Sequence, residues 1–475
     1  VAGTHYGRRV VNPVAGPSFP TVVCRDQGPS KEEGSARDRP NLGSGRLLQN
    51  RNFLRLFAAG LASVGGSAIA QVCLIWIIAT DTGSSLDVAY YAIAAVSAGI
   101  AFSLVGGGLV DRYDRRKLMI VADLSRAATV GGLFLSLDIF GFRLGAVLVA
   151  AFVVSAFSTV FNPAEQAITP ILVEPGRVAN ANGLIQSTRN VASFVGAAVA
   201  GALIVSVGAL AGVGYNAVTF LVSGILVAQI VLPRTVFPAP LAGAKGFAGA
   251  GTFVREMREG LAWLRQSVGL LQLTVSAGFF NFFSAIYTTF IVFYATVALH
   301  GSAVEFATLV GLELAGSAAG ALLVGRTNGV RYAGKAWLLG FGAFQGAMLA
   351  LLALVPNVGL AYALVFTMGL AGAYAGTAWL SYAQLTVPTE MQGRYFGIDS
   401  LGSWVMIPVG QLAGGVLIAS VGVSETYLIA GIGWIVCGLV FLAPRSLWRL
   451  GYRTTVRNGA SDSGRTGSHA ENRPS

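Results

Sequence analysis

Twelve apolar runs, each about 20 residues or longer, decide most of what this chain can become. They fall at 53–79, 86–110, 118–137, 144–163, 183–207, 213–232, 270–298, 303–325, 335–355, 358–386, 395–421 and 424–444. A segment crossing lipid must satisfy its own backbone, so it is either a helix or a strand of a closed barrel. Barrel strands are about 10 residues long and alternate in polarity. These runs are longer and continuous, so they are read as helices. The expected fold is an all-α integral membrane protein with twelve transmembrane helices. Only 11% of the residues are charged, against about 25% in soluble domains, which excludes a soluble enzyme. The 62 glycines suit close helix packing in lipid.

Charge placement sets the expected orientation. Basic residues crowd the N-terminal segment, the even-to-odd loops and the C-terminal segment. Of the opposite loops, only the third-to-fourth carries one, Arg143. That alternation predicts an even number of spans with both termini in the cytoplasm. It also argues against nucleic acid as the partner of the +11 net charge, because the basic groups lie between spans rather than in one patch. The densest loop is Asp111-Arg112-Tyr113-Asp114-Arg115-Arg116-Lys117, with six charges in seven residues. It must lie at a membrane surface. It is either a topology anchor or a latch.

Residues 1–50 and 445–475 are polar and read as disordered cytoplasmic tails. The chain starts at Val1 and its first methionine is Met119, the pattern expected of a non-standard or misassigned start. Between a first six-helix half (51–232) and a second (270–444) lies a cytoplasmic linker, 233–269. Its Phe253, Met257, Leu261 and Leu264 recur at helical spacing, predicting an amphipathic helix on the membrane face. The halves resemble each other: GAAVAGALIVSVG at 196–208 matches GQLAGGVLIASVG at 410–422, and Gly183 matches Gly397 in the same register. This places the fifth span on the eleventh, as two six-helix pseudo-repeats require. Two parallel halves with a site between them describe an alternating-access transporter.

Charges inside spans are expensive and are functional candidates. Asp123 and Arg126 stand one helical turn apart on span 3, Arg189 lies in span 5, Glu165 follows Asn162-Pro163 on span 4, and Asp399 opens span 11. All fall in one half of the membrane depth. They form either an inter-helix ion network or, for Asp123 and Arg126, a pair that only neutralises itself. Glu313 sits mid-span on span 8 with no basic neighbour on its own helix. A mid-membrane carboxyl that gains and loses a proton is what proton coupling requires, and Asp123 and Asp399 are further candidates. Gln71, Asn281, Tyr287, Tyr374 and Trp379 are candidates for lining a cavity that takes an amphipathic substrate. The alternative is that such aromatics face lipid or neighbouring helices. Cys24, Cys73 and Cys437, with His5, His300 and His469, show no metal or disulfide spacing. There is no Walker motif to bind ATP. No cofactor, metal or catalytic group is expected.

Gly107-Gly108-Leu109-Val110-Asp111-Arg112, continuing to Lys117, resembles the signature loop of the major facilitator superfamily, G-x-L-a-D-R-x-G-R-R/K. Its form is similar to the D-x-x-R-R-K branch, which includes enterobactin-type siderophore exporters and macrolide or tetracycline efflux pumps. Asn162-Pro163-Ala164-Glu165-Gln166-Ala167, Glu259-Gly260-Leu261 and the run from Pro388 to Arg394 look like that branch too. The resemblance covers about 50–444 and implies a gating motif of Gly107, Asp111, Arg112, Arg115 and Arg116. In it, Asp111 faces the N-terminus of span 11, and Arg112 and Arg115 reach acids near span 4, with Glu165 and Asp123 as candidates. Three departures stand out. Asp114 replaces the usual Gly, span 1 lacks the acid many of these exporters carry after a Gly, and Gly196 is followed by Ala197 rather than Pro. The resemblance implies a monomeric, proton-coupled exporter of a hydrophobic or amphipathic small molecule, drug or siderophore, in a bacterial inner membrane. An uptake permease of the same fold is the alternative, and a transport-dead scaffold or sensor is a third.

Overall fold

The computed structural model describes Leu47 and residues 49–110, 113–174, 177–231, 250–327 and 333–442. Asp111, Arg112 and nearly all of both expected tails lie outside the described residues. Among the described residues, twelve helices are long and apolar enough to cross a membrane. In the first half, span 1 is Arg51–Thr82, span 2 Ser85–Val110, span 3 Arg115–Phe140, span 4 Leu144–Leu172, span 5 Val178–Ser206 and span 6 Ala209–Ala228. A linker helix, Ala250–Gln266, follows. In the second half, span 7 is Val268–Ala298, span 8 Ala303–Thr327, span 9 Ala333–Leu354, span 10 Val358–Thr386, span 11 Arg394–Val421 and span 12 Val423–Leu442.

The sequence of each span accounts for its ends and breaks. Asn50 caps span 1, its side-chain oxygen accepting from the backbone N–H of Asn52 and Phe53. Leu47, inside the expected tail, is buried with Phe53, Val173 and Ala181. Asp114 caps span 3, accepting from the N–H of Arg116 and Lys117. That accounts for an acid where the family usually has Gly: it satisfies orphan donors at the positive end of a helix. Span 11 breaks at Val405, between the helices Thr389–Trp404 and Met406–Val421. Pro408 is the cause, because it has no N–H to offer the carbonyl four residues earlier. Spans 5 and 11 both end on glycines in left-handed backbone, Gly208 (φ 91°) and Gly422 (φ 95°), so the duplicated sequence makes the same turn twice.

Basic side chains gather at one end of the bundle and cap the helices there. Arg116, at the start of span 3, donates through Nε to the Val227 carbonyl at 3.3 Å and also to that of Ala228. Arg55 donates to the Gln229 carbonyl at 2.6 Å, and Asn52 exchanges two hydrogen bonds with the backbone of Val231. Together they satisfy the exposed carbonyls that end span 6.

Packing repeats between the halves. Span 2 lies on span 4 as span 8 lies on span 10, span 3 on span 6 as span 9 on span 12, and span 1 on span 5 as span 7 on span 11. Across the halves, span 5 meets span 8 and span 11 meets span 2. Both seams use the duplicated glycines. A Cβ on Gly201 would stand 2.5 Å from the Ala307 Cβ, and one on Gly415 2.9 Å from that of Ala89. The Ser85 hydroxyl donates to the Gly415 carbonyl at 2.7 Å. These contacts lie at the end away from the basic loops. Toward the basic end, a Cβ on Gly183 of span 5 or on Gly325 of span 8 would have nothing within 4 Å among the described residues.

Spans 8 and 10 approach closest of all. A Cβ on Gly316 would land on the Phe366 carbonyl, and one on Gly369 on that of Glu313. Gly316→Val should therefore lower the thermal stability of the detergent-solubilised protein by about 1–3 kcal/mol, the range for overpacking. Gly325→Val, which enters open space, should stay within about 0.5 kcal/mol of wild type. Equal thermal shifts for the two would refute this account of the contact.

Candidate functional site between the halves

A cavity lies between the two halves as two adjoining lobes of about 510 and 520 Å³. Ser67, Gln71 and Ile75 of span 1, Ser158 of span 4 and Thr288 of span 7 border both. Each lobe alone has the size of a drug-sized ligand site. Helical spacing builds the walls: Ser63, Ser67 and Gln71 fall four residues apart on span 1, and Ser158 and Asn162 on span 4.

The lobe nearer the basic end is charged. Arg126, Arg189 and Glu313 line it together with Asn162. Arg126 and Asp123 form a buried ion pair. The second Asp123 oxygen accepts from the Ser223 hydroxyl of span 6 at 2.7 Å. The guanidinium lies 4.3 Å from the Phe161 ring and 4.5 Å from that of Phe220, a cation–π clamp between spans 4 and 6. Arg189 pairs with Glu165 at 3.1 Å and donates to the side-chain Oδ1 of Asn162 at 3.2 Å. Gly60 makes room for that pair, since a Cβ there would stand 2.8 Å from the Glu165 carboxylate. The two pairs are within electrostatic reach of each other, so Asp123, Arg126, Glu165 and Arg189 form one network of balanced charge.

Glu313 differs. It is half-buried on the opposite wall, on span 8, and none of the described residues makes a hydrogen bond or ion pair with its carboxyl. Tyr287, on span 7, lies within electrostatic reach, and its buried hydroxyl has no partner among the described residues.

Other expected site residues sit elsewhere. Asp399 does not join the ion network. It is buried between spans 11 and 7, accepting from the Thr274 hydroxyl at 2.8 Å. Arg115 reaches neither Glu165 nor Asp123. It points to the main-chain carbonyl of Ala167 at 3.4 Å, while both acids are occupied by Arg189 and Arg126. Gly107 lies within the span 2 helix. Of the expected lining residues, Gln71 is on both lobes. The rest are engaged with other helices. Asn281 donates to the Ser403 carbonyl at 3.1 Å, Tyr287 packs on Tyr427, the Tyr374 hydroxyl is 2.8 Å from that of Thr327, and Trp379 stacks on Trp337.

The lobe farther from the basic end is neutral. Gln71, Asn216, Thr289 and Gln411, with the hydroxyls of Ser67, Ser155, Ser158 and Thr288, supply polar groups among apolar residues such as Leu74 and Val130. Asn216 and Gln411 went unnoticed in the sequence because neutral polar residues in spans carry no charge to mark them. The signal available was their isolation in otherwise apolar runs.

The linker helix docks on the start of span 11. Leu264 is fully buried, Gly260 lets the helix approach Ile398 and Arg394, and Glu259 pairs with Arg394 at 3.2 Å.

Residues 56–410 match the model of a family described as the Major Facilitator Superfamily. Among curated proteins, Macrolide efflux protein A of Streptococcus pyogenes is 27% identical over 388 residues, 80% of this chain and 92% of that protein. The multidrug efflux pump Tap of Mycobacterium tuberculosis is 25% identical over 410 residues, 84% of this chain and 94% of its own. Among solved structures, the nucleoside transporter NupG superposes with a TM-score of 0.63 at 12% identity, over 82% of this chain and 99% of NupG.

Proposed function

Since this chain belongs to the major facilitator superfamily, a family of transporters for small molecules, we propose that it is a proton-coupled exporter of amphipathic drug-like molecules in a bacterial inner membrane. The observation that carries this reading is Glu313, a carboxyl on the cavity wall with no partner among the described residues, facing a network whose own charges balance. A site that binds a proton or a cationic cargo in turn needs one group left free to change state. The similarity to proteins named for macrolide and multidrug efflux supports the direction and the cargo class.

In this reading the basic end faces the cytoplasm, with both termini there. The gating loop of Gly107, Asp111, Arg112, Arg115 and Arg116 then closes that end in one of the two states. Arg115 and Arg116 already bind helix-end carbonyls of spans 4 and 6, anchoring the loop to its own half. Six spans on each side of residues 233–269 act as the two moving bodies.

Everted membrane vesicles test the direction. Respiring vesicles containing the protein should accumulate a macrolide in their acidified lumen, and a protonophore should release it. An uptake permease would give no such accumulation, and a scaffold would give no protein-dependent flux in either direction.

A further inference from the structure

We infer that the Gln411 amide is a recognition group, and that the neutral lobe around it binds an uncharged hydrogen-bonding portion of the cargo, such as hydroxyls, amides or ester carbonyls. The inference rests on the reading of the cavity as a substrate site.

The backbone beneath Gln411 is clamped on two sides. A Cβ on Gly410 would land on the Phe282 carbonyl of span 7, one on Gly414 would lie 2.5 Å from the Phe290 ring, and Gly415 closes the seam with span 2. Span 11 is thus held at main-chain distance there, and the Gln411 side chain enters the lobe from a fixed base. Gln411 is only 6% exposed, and its buried Oε1 accepts no hydrogen bond from any described residue. A buried carbonyl oxygen without a donor is costly to keep, so its retention calls for a donor outside the chain.

The duplication supplies an internal control. Gly196 corresponds to Gly410, so Ala197 stands where Gln411 does in the other half. Ala197 is also buried and borders the charged lobe. Helix packing at this position is therefore met by a methyl group, and the longer amide in span 11 is an addition that packing does not require. No Asp, Glu, Lys or Arg lines the lobe that Gln411 enters. A charged group would be desolvated there without compensation, whereas a neutral polar group would meet Gln411, Gln71 and Asn216. A glutamine amide offers both donors and an acceptor, so it serves hydroxyls and carbonyls alike.

The test is binding to the purified full-length protein in detergent, comparing wild type with Gln411→Met, which keeps the volume and removes the amide. Two probes are used: erythromycin, rich in hydroxyls and carbonyls, and tetraphenylphosphonium, a lipophilic cation with no hydrogen-bonding group. The expected result is about a tenfold weaker affinity for erythromycin, the scale of one lost hydrogen bond, with tetraphenylphosphonium unchanged. That second probe also reports whether the variant is folded. Unchanged binding of both probes would mean the amide holds only water and would overturn the inference, as would an equal loss for both. If wild type bound neither probe, the export reading itself would fall and this inference with it.

Discussion

A Glu313→Gln protein should reach the membrane at wild-type levels and lose proton-driven drug movement to the background of vesicles lacking the protein. Glutamine keeps the size and hydrogen-bonding capacity of the side chain but cannot exchange a proton. Packing gives no reason for the fold to notice. The span 8 backbone is set by the glycine contacts with span 10 at Gly316, Gly320 and Gly369, while the Glu313 carboxyl makes no hydrogen bond or ion pair with the described residues and faces the cavity. The variant should still bind tetraphenylphosphonium and exchange it passively, because those steps need the cavity and not the proton. The measurement is substrate accumulation in everted vesicles under an imposed pH gradient, alongside passive exchange without one. Retained accumulation in the variant would remove Glu313 as the coupling group. Attention would then move to Asp399, a buried acid with no basic partner among the described residues.

The second large effect concerns stability. Arg126→Met should destabilise the protein by about 3–5 kcal/mol, the usual cost of removing one partner from a buried ion pair. Asp123 is completely buried, and without Arg126 it would keep only the Ser223 hydroxyl. The rings of Phe161 and Phe220 would lose their cation as well. The double variant Asp123→Asn with Arg126→Met should recover most of the loss, because a neutral amide can remain in that pocket at far less cost than a lone carboxylate. Thermal unfolding of the solubilised single and double variants measures both. A single variant within about 0.5 kcal/mol of wild type would show that the pair contributes little, and a double variant no better than the single would assign the cost to the lost packing.

The spans were legible in the sequence because lipid enforces a simple rule: a long apolar run must close its own hydrogen bonds as a helix. The duplication was legible for a related reason, since glycines at helix crossings cannot vary without collision. Gly196, Gly201, Gly208 and their partners Gly410, Gly415 and Gly422 all occupy tight contacts or left-handed turns. The pairing of Asp123 with Arg126 followed from helical spacing alone. Asp399 shows where such reading stops. Its depth resembled that of Glu165 and Arg189, but depth along a helix says nothing about which neighbour it faces, and span 11 turns it toward Thr274 of span 7. The aromatic candidates meet the same limit. Tyr287, Tyr374 and Trp379 make helix–helix contacts, while the polar part of the cavity wall is mostly serine, threonine, asparagine and glutamine. A polar stripe such as Ser63, Ser67 and Gln71, four residues apart, was the better pointer.

The seams at Gly201 and Gly415 bear on how such a molecule keeps two shapes at similar energy. What touches there is backbone and methyl group, with one serine hydroxyl on a carbonyl. Among the described residues no ion pair bridges the halves. Surfaces of this kind slide without first breaking a strong bond, behaving as a bearing rather than a lock. A population balance resting on such a joint is shallow, so the modest differential affinity of one cargo molecule or one proton is enough to tip it. Because duplication placed the same bearing on both sides, the proposed transport cycle would have the two yield together, with neither half bending.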